Sequence, residues 1–248
     1  MSYYQFVAQE TELWEQINHL IAMDTRDSVI LSQLKNKVHD ILTIDAYEGY
    51  IALGIIASLE GNVEAIHTHY QQAIENFSRK PELVASYAES LARVGYFSLA
   101  AELMLEAYYL SPSTLNYLDK AIQLCGIVGR FYFVGELLRI REKINLRQAH
   151  PFANNAEKII QWMKKTKVTD EQLEELINLA LSLLQQYPIL ITPRHVEISL
   201  DEDQQKFYYK IHLAERTETI FEITTQLTQQ IIAAGLPAII NWKIVPIS

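Results

Sequence analysis

The side chains best able to bind a metal or act as nucleophiles are seven histidines and one cysteine, and their spacing argues against chemistry. His67 and His69 lie two apart on a predicted helix, so they point to different faces and cannot share a metal. His195 and His212 fall as cross-strand neighbours on a predicted hairpin, the arrangement a metal pair would need. Two histidines on an exposed hairpin are more often simple polar surface. Asp201, Glu202 and Asp203 resemble a cation loop in charge alone, without the ligand spacing or the following glycine of a calcium loop. Cys125 falls at an inward helical position, where a cysteine packs as a small apolar side chain. As the sole cysteine it excludes an internal disulfide and a thiolate metal cage. No glycine-rich phosphate loop and no nucleophile elbow is present. The expectation is therefore no catalytic residue, no metal and no cofactor.

The composition is that of an ordinary globular protein, 49% hydrophobic and 21% charged over 248 residues. A chain of this length buries enough apolar surface to need no staple. The formal charge is -9, and none of the segments 1–46, 47–148, 149–186 and 187–248 is basic overall. Nucleic acid is not an expected partner, because its binding normally needs a basic face to displace counterions. The one basic cluster, Arg139, Arg141, Lys143 and Arg147, reads as a solvated helix end favoured by the macrodipole. Met1–Glu10 lacks the pattern of a secretion signal. The longest apolar stretch, Tyr50–Leu59, is about half of the roughly twenty residues a membrane span needs. A soluble, cytoplasmic protein without membrane contact is expected.

Whatever groups bind a partner must be positioned by helices, and those helices repeat. Gly61, Gly95 and Gly129 are spaced 34 residues apart. Each frames a unit with apolar residues at helical spacing on both sides, which predicts two antiparallel helices joined by a tight turn. The units are Tyr47–Lys80, Pro81–Thr114 and Leu115–Gln148. In the second, Val84, Tyr87, Ala88 and Leu91 line the first helix, and Ala100, Met104 and Ala107 the second. Phe97 fills the gap between them, and Pro112 stops the second helix.

This spacing resembles the tetratricopeptide repeat. The first unit matches at Tyr50, Leu53, Gly54, Gly61, Tyr70 and Ala73, and departs at Ala57, Val63, Ile66 and Ser78. The second matches at Gly95, Phe97, Ala100, Ala107 and Pro112. The third keeps Leu118, Ala121, Gly129, Phe131 and Leu138 but has Val134 and Arg141 where alanines are usual. The resemblance implies a helical-hairpin solenoid and a binding scaffold, without specifying a ligand.

Residues 1–46 are expected to form capping helices, near Thr11–Met23 and Asp27–Ile44. Residues 149–187 add two capping or connecting helices, Asn155–Thr166 and Thr169–Tyr187, the second opening on a Thr169–Gln172 capping box. Beyond Pro188 the period changes from helical to alternating, in His195–Leu200 and Lys206–Leu213. Pairing Val196 with Ile211, Ile198 with Tyr209 and Leu200 with Phe207 puts the apolar residues on one side. Glu197 with Lys210 and His195 with His212 fall on the other. A helix at Thr217–Ala234 and a strand at Ile239–Val245 complete a ββαβ module over 188–248. The fold class is mainly α, with a small α+β module at its end.

The tetratricopeptide resemblance implies a concave groove lined by the first helix of each unit. It projects Glu48, Ile51, Ile55 and Leu59 from the first unit, and Glu82, Glu89 and Arg93 from the second. From the third come Asn116, Asp119, Lys120 and Gln123. Relatives that clamp a chaperone's terminal carboxylate use lysines and asparagines where this chain has Ile51, Ile55, Ala85 and Glu89, so that clamp is absent. A peptide with an apolar anchor and some positive charge suits these residues, unless the chain's own end helices fill the groove. The function expected is a scaffold, adaptor or dedicated chaperone for a protein or peptide partner. The alternatives are a regulatory or inhibitory protein acting through the ββαβ module, which offers a route to homo-oligomerisation, and an enzyme with an unrecognised site in that module.

Overall fold

The computed structural model describes residues 3–23, 26–145, 148–187, 189–201, 203 and 205–247. The fold is mainly α, a run of helical hairpins ending in a small α+β element, and it divides into two compact units, residues 1–94 and 95–248.

The first unit contains α1 (Tyr3–Met23), α2 (Ser28–Leu42), α3 (Ala46–Glu60), α4 (Val63–Phe77) and α5 (Pro81–Arg93). Local chemistry sets the helix starts. The Asp27 carboxylate accepts from the Val29 and Ile30 amides, Asp45 from Glu48, and Asn62 from Ala65, each satisfying donors that a helix leaves orphaned. α3 is apolar nearly all round and is buried on most sides, packing on α1, α2, α4 and α5. Tyr70 of α4 is fully buried, and its hydroxyl bonds the hydroxyls of Ser86 (2.8 Å) and Ser90 (2.9 Å) on α5. Gly54 of α3 makes room for that ring, since a Cβ there would stand 2.4 Å from it.

The second unit contains α6 (Phe97–Leu110), α7 (Leu115–Ile127), α8 (Phe131–Ile144), α9 (Ala153–Thr166) and α10 (Asp170–Leu184). It continues through a 3₁₀ turn (Pro193–His195), β1 (Val196–Asp201), β2 (Lys206–Leu213), α11 (Thr217–Ala233) and β3 (Ile240–Pro246). The three repeat glycines all sit at helix ends with left-handed φ: 76° at Gly61, 81° at Gly95 and 89° at Gly129. A side chain is strained in that conformation, which is why glycine marks each reversal. α10 opens on the Thr169–Gln172 capping box. Its Asp170 carboxylate also accepts from the backbone amides of Tyr132 and Phe133, so α10 caps the start of α8 from outside.

The sheet runs β1-β2-β3, with β1 antiparallel to β2 and β3 parallel to it. The register pairs Val196 with Ile211, Ile198 with Tyr209 and Leu200 with Phe207, as alternation predicts. His195 does not take part. It belongs to the 3₁₀ turn, where its Nδ1 accepts from the Thr192 amide, so His195 and His212 are not paired across the strands. β1 packs on α9, whose Asn155 donates to the Ile198 carbonyl at 2.9 Å. The apolar face of the sheet shares a core with the helices. Phe207 lies edge-on to Phe131 and stacked on Trp162, and the Tyr209 hydroxyl donates to the Ile127 carbonyl at 2.9 Å. The helices before residue 187 and the strands from Val196 onward therefore share buried side chains. Among the described residues no helix is long and apolar enough to cross a membrane.

Candidate functional site

The residues projected to line a groove divide between the units. In the first unit, Leu59 is 2% exposed and Ile51 8%. Leu59 belongs to a core formed with Leu13, Ile17 and Leu20 of α1 and Leu31, Leu34, Val38 and Ile41 of α2, and Ile55 packs against the same cluster. The expectation that these apolar residues face a partner is corrected for Ile51 and Leu59: they are buried within their own unit, and for Leu59 the end helices supply the cover. Glu48 is half-buried, and burial together with Asp45, Glu10 and Glu82 raises its pKa. Glu82 is exposed, while Glu89 and Arg93 are half-buried. An Arg93 guanidinium nitrogen donates to the Ser58 hydroxyl at 2.8 Å.

In the second unit, Asn116, Asp119, Lys120 and Gln123 share one face of α7, at spacings of three and four. That face is the polar wall of a cleft of about 590 Å³. Ile127 at the end of α7, the His150–Phe152 segment, and Pro193, Val196 and Ile198 complete it. Asn116 and Gln123 are exposed, and Asp119 and Lys120 half-buried. The cleft thus joins an apolar base to a polar rim, the usual make-up of a binding cleft.

Its charge differs from the sequence expectation. Arg141, read as part of a solvated helix end, is 4% exposed. Its Nε donates to Asp119 Oδ1 at 2.7 Å and a second nitrogen reaches Asp119 Oδ2 at 3.4 Å, while another donates to the Gln148 carbonyl. Asp119 is therefore neutralised from behind and offers little net charge to a ligand. Arg139 is exposed, and Arg147 lies outside the described residues. His150 is half-buried beside this pair, its Nε2 4.0 Å from Asp119 Oδ1 and its Nδ1 accepting from the Phe152 amide at 3.1 Å. Burial and the Arg141 charge hold its pKa below the ordinary histidine value, against the opposing pull of Asp119. His150 also lines an adjoining cleft of about 520 Å³ between α8 and α9.

The groups first considered for chemistry lie elsewhere. Cys125 is fully buried, and burial pushes its thiol up to about 12, far from a reactive thiolate. His212 Nε2 is 3.5 Å from Glu197, which Lys210 also holds at 2.6 Å. Asp201 pairs with Lys206 at the end of the hairpin, and Glu202 lies outside the described residues. Among the described residues no three His, Cys, Asp or Glu side chains cluster as a metal site would require.

The sequence reading missed Ile127, His150, Phe152, Pro193, Val196 and Ile198. Ile127 follows Gln123 by four on α7, so helical spacing marks it; the others reach the cleft from segments far apart in the chain, and nothing in local spacing marks them. One signal was available: Arg141 stands where the repeat usually has alanine, and an arginine in a packed position needs a buried counter-charge.

No family model matches the chain, and no curated protein matches it. A solved structure from the functional characterization of Pseudomonas aeruginosa PilF is similar, with 15% identity over 73% of this chain and 84% of that chain, at a TM-score of 0.47.

Proposed function

We propose that the chain is a non-enzymatic interaction scaffold, an adaptor or dedicated chaperone that holds a protein or peptide segment against the exposed face of α7. The observation that carries this reading is the convergence of Asn116, Asp119, Lys120 and Gln123 with Val196 and Ile198 on one cleft. Its volume of about 590 Å³ suits a few residues of an extended segment. Exposed amides at Asn116 and Gln123 can bond a passing backbone, and the apolar base can take one anchoring side chain. With Asp119 matched to Arg141, the cleft makes no demand for a basic anchor. In the unit of residues 1–94, Glu48, Glu82 and Glu89 are proposed as an acidic contact region for a partner's basic residues.

The test is a photo-crosslinking residue placed at Gln123, with exposed Gln229 of α11 as control. A discrete adduct at Gln123, absent at Gln229 and lost when Ile198→Ala is added, is the expected result. Equal capture at both positions overturns the reading.

A second reading, a regulatory protein that self-associates through its sheet, draws on β3. Among the described residues β3 pairs with β2 alone, and a strand with a vacant flank invites another. Light scattering across a concentration series decides it: a constant monomer mass rejects self-association.

A further inference from the structure

We infer that one wall of the α7 cleft is proton-sensitive: the Phe152 backbone amide is tied to His150 only while that ring is neutral. The inference rests on the reading of this cleft as the binding site and adds its regulation.

The argument begins with the tautomer. His150 Nδ1 accepts the Phe152 backbone N–H at 3.1 Å, so Nδ1 carries a lone pair and the ring proton sits on Nε2. Phe152 is the residue before the first turn of α9, and its ring packs against Gly126 of α7, where a Cβ would stand 2.7 Å away. It also contacts the ring of Phe131, at 6.1 Å between centroids. The same Phe152 lines the cleft. Besides these ring contacts, one backbone hydrogen bond thus ties a cleft wall to a titratable side chain.

Protonation removes that bond, because an imidazolium has two donors and no acceptor. It also places a cation among fixed charges. From α7, Asp119 and Lys120 line the cleft beside His150. From α8, Arg141 holds Asp119, and Arg139 and Glu142 line the adjoining cleft, as do Glu157 and Lys164 of α9. The 193–198 segment contributes Pro193, Val196 and Ile198 to the cleft, none of them charged. The nearest anion, Asp119, already spends its closer oxygen on Arg141 at 2.7 Å. A protonated His150 is drawn toward Asp119, which it shares with Arg141, while the Phe152 amide loses its acceptor. Burial and the Arg141 charge lower the pKa of His150, so the switch lies on the acid side of neutrality.

The intact protein, ¹⁵N-labelled, is titrated between neutral and mildly acid pH while the Phe152 amide and the His150 ring are followed by NMR. The Phe152 amide is expected to move upfield and to exchange several-fold faster with solvent, with the same midpoint as His150. His150→Asn keeps an acceptor oxygen near the Nδ1 position but does not titrate, and its Phe152 amide is expected to stay fixed across the range. A Phe152 amide that ignores the His150 titration in the wild-type protein overturns the inference, as does an amide that titrates unchanged in His150→Asn. If that variant does not fold, the wild-type titration decides alone. No partner is needed, so a cleft that captures nothing at Gln123 while Phe152 titrates removes the functional reading and leaves the proton-sensitive contact standing.

Discussion

Arg141 on α8 reaches Asp119 on α7 at 2.7 Å from a position almost sealed from solvent, and the same guanidinium holds the Gln148 carbonyl beyond the end of α8. One side chain therefore fixes a helix pair and the start of the segment that walls the cleft.

Replacing Arg141 with alanine leaves Asp119 without its cation and the Gln148 carbonyl without its donor. Asp119 keeps partial solvent access, 32% of its side chain, so the cost falls below that of breaking a fully buried pair, at about 2 kcal/mol. Asp119→Asn, which keeps an acceptor, is expected to cost about 1 kcal/mol. Urea denaturation of the two single variants and the double variant measures both effects, and additive costs would show that the pair is not coupled.

The Tyr209 hydroxyl is buried, and the Ile127 carbonyl is its acceptor. Tyr209→Phe retains the ring packing against Trp242 and removes only that bond. A loss of about 1–2 kcal/mol is expected in chemical denaturation. A neutral substitution would mean that the carbonyl finds another donor.

Gly129 and Gly235 both have positive φ but different surroundings. A Cβ at Gly129 would meet Leu173 and Ile177 at 2.9 Å, whereas nothing lies within 4 Å at Gly235. Gly235→Ala is expected to cost about 1 kcal/mol from backbone strain alone. Gly129→Ala adds overpacking, for a total of about 2–4 kcal/mol. Equal costs would assign the whole effect to the backbone.

Acid sensitivity follows from His69 and His150, both held below the ordinary histidine pKa, chiefly by burial. A histidine that is neutral in the fold takes up protons more readily when unfolded. Its contribution is complete above the unfolded value of about 6.5 and is lost as pH falls through the lower folded value. The melting temperature is expected to drop between pH 7.5 and pH 5.5, values chosen at about one unit either side of that pKa, and to drop less in His69→Gln/His150→Asn. Glu48 and Asp170, raised mainly by burial, act in the opposite sense at lower pH, where the fold binds the extra proton.

The helices and the strand register were legible because they answer to local rules. The 34-residue glycine spacing marks reversals that only a left-handed residue permits, and alternation fixed the partners of Val196, Ile198 and Leu200. His195 escaped that logic because Pro193 starts a turn that ends only at the histidine. The groove was legible in part. Helical phase placed Asn116, Asp119, Lys120 and Gln123 on one face, yet phase cannot say what covers a face. At Leu59 it is α1 and α2, and at Asp119 it is a guanidinium from the next helix. Covers of both kinds come from other helices, which periodicity within one helix does not encode.

Asn155 takes up the Ile198 carbonyl, with α9 laid against β1. A three-stranded sheet plugged on one flank has a single direction in which to grow. Two copies joining at their remaining borders would form a closed, two-fold pair with no strand left to recruit a third. For a strand approaching from the α9 side, the Asn155 amide already occupies the Ile198 carbonyl that such a strand would need.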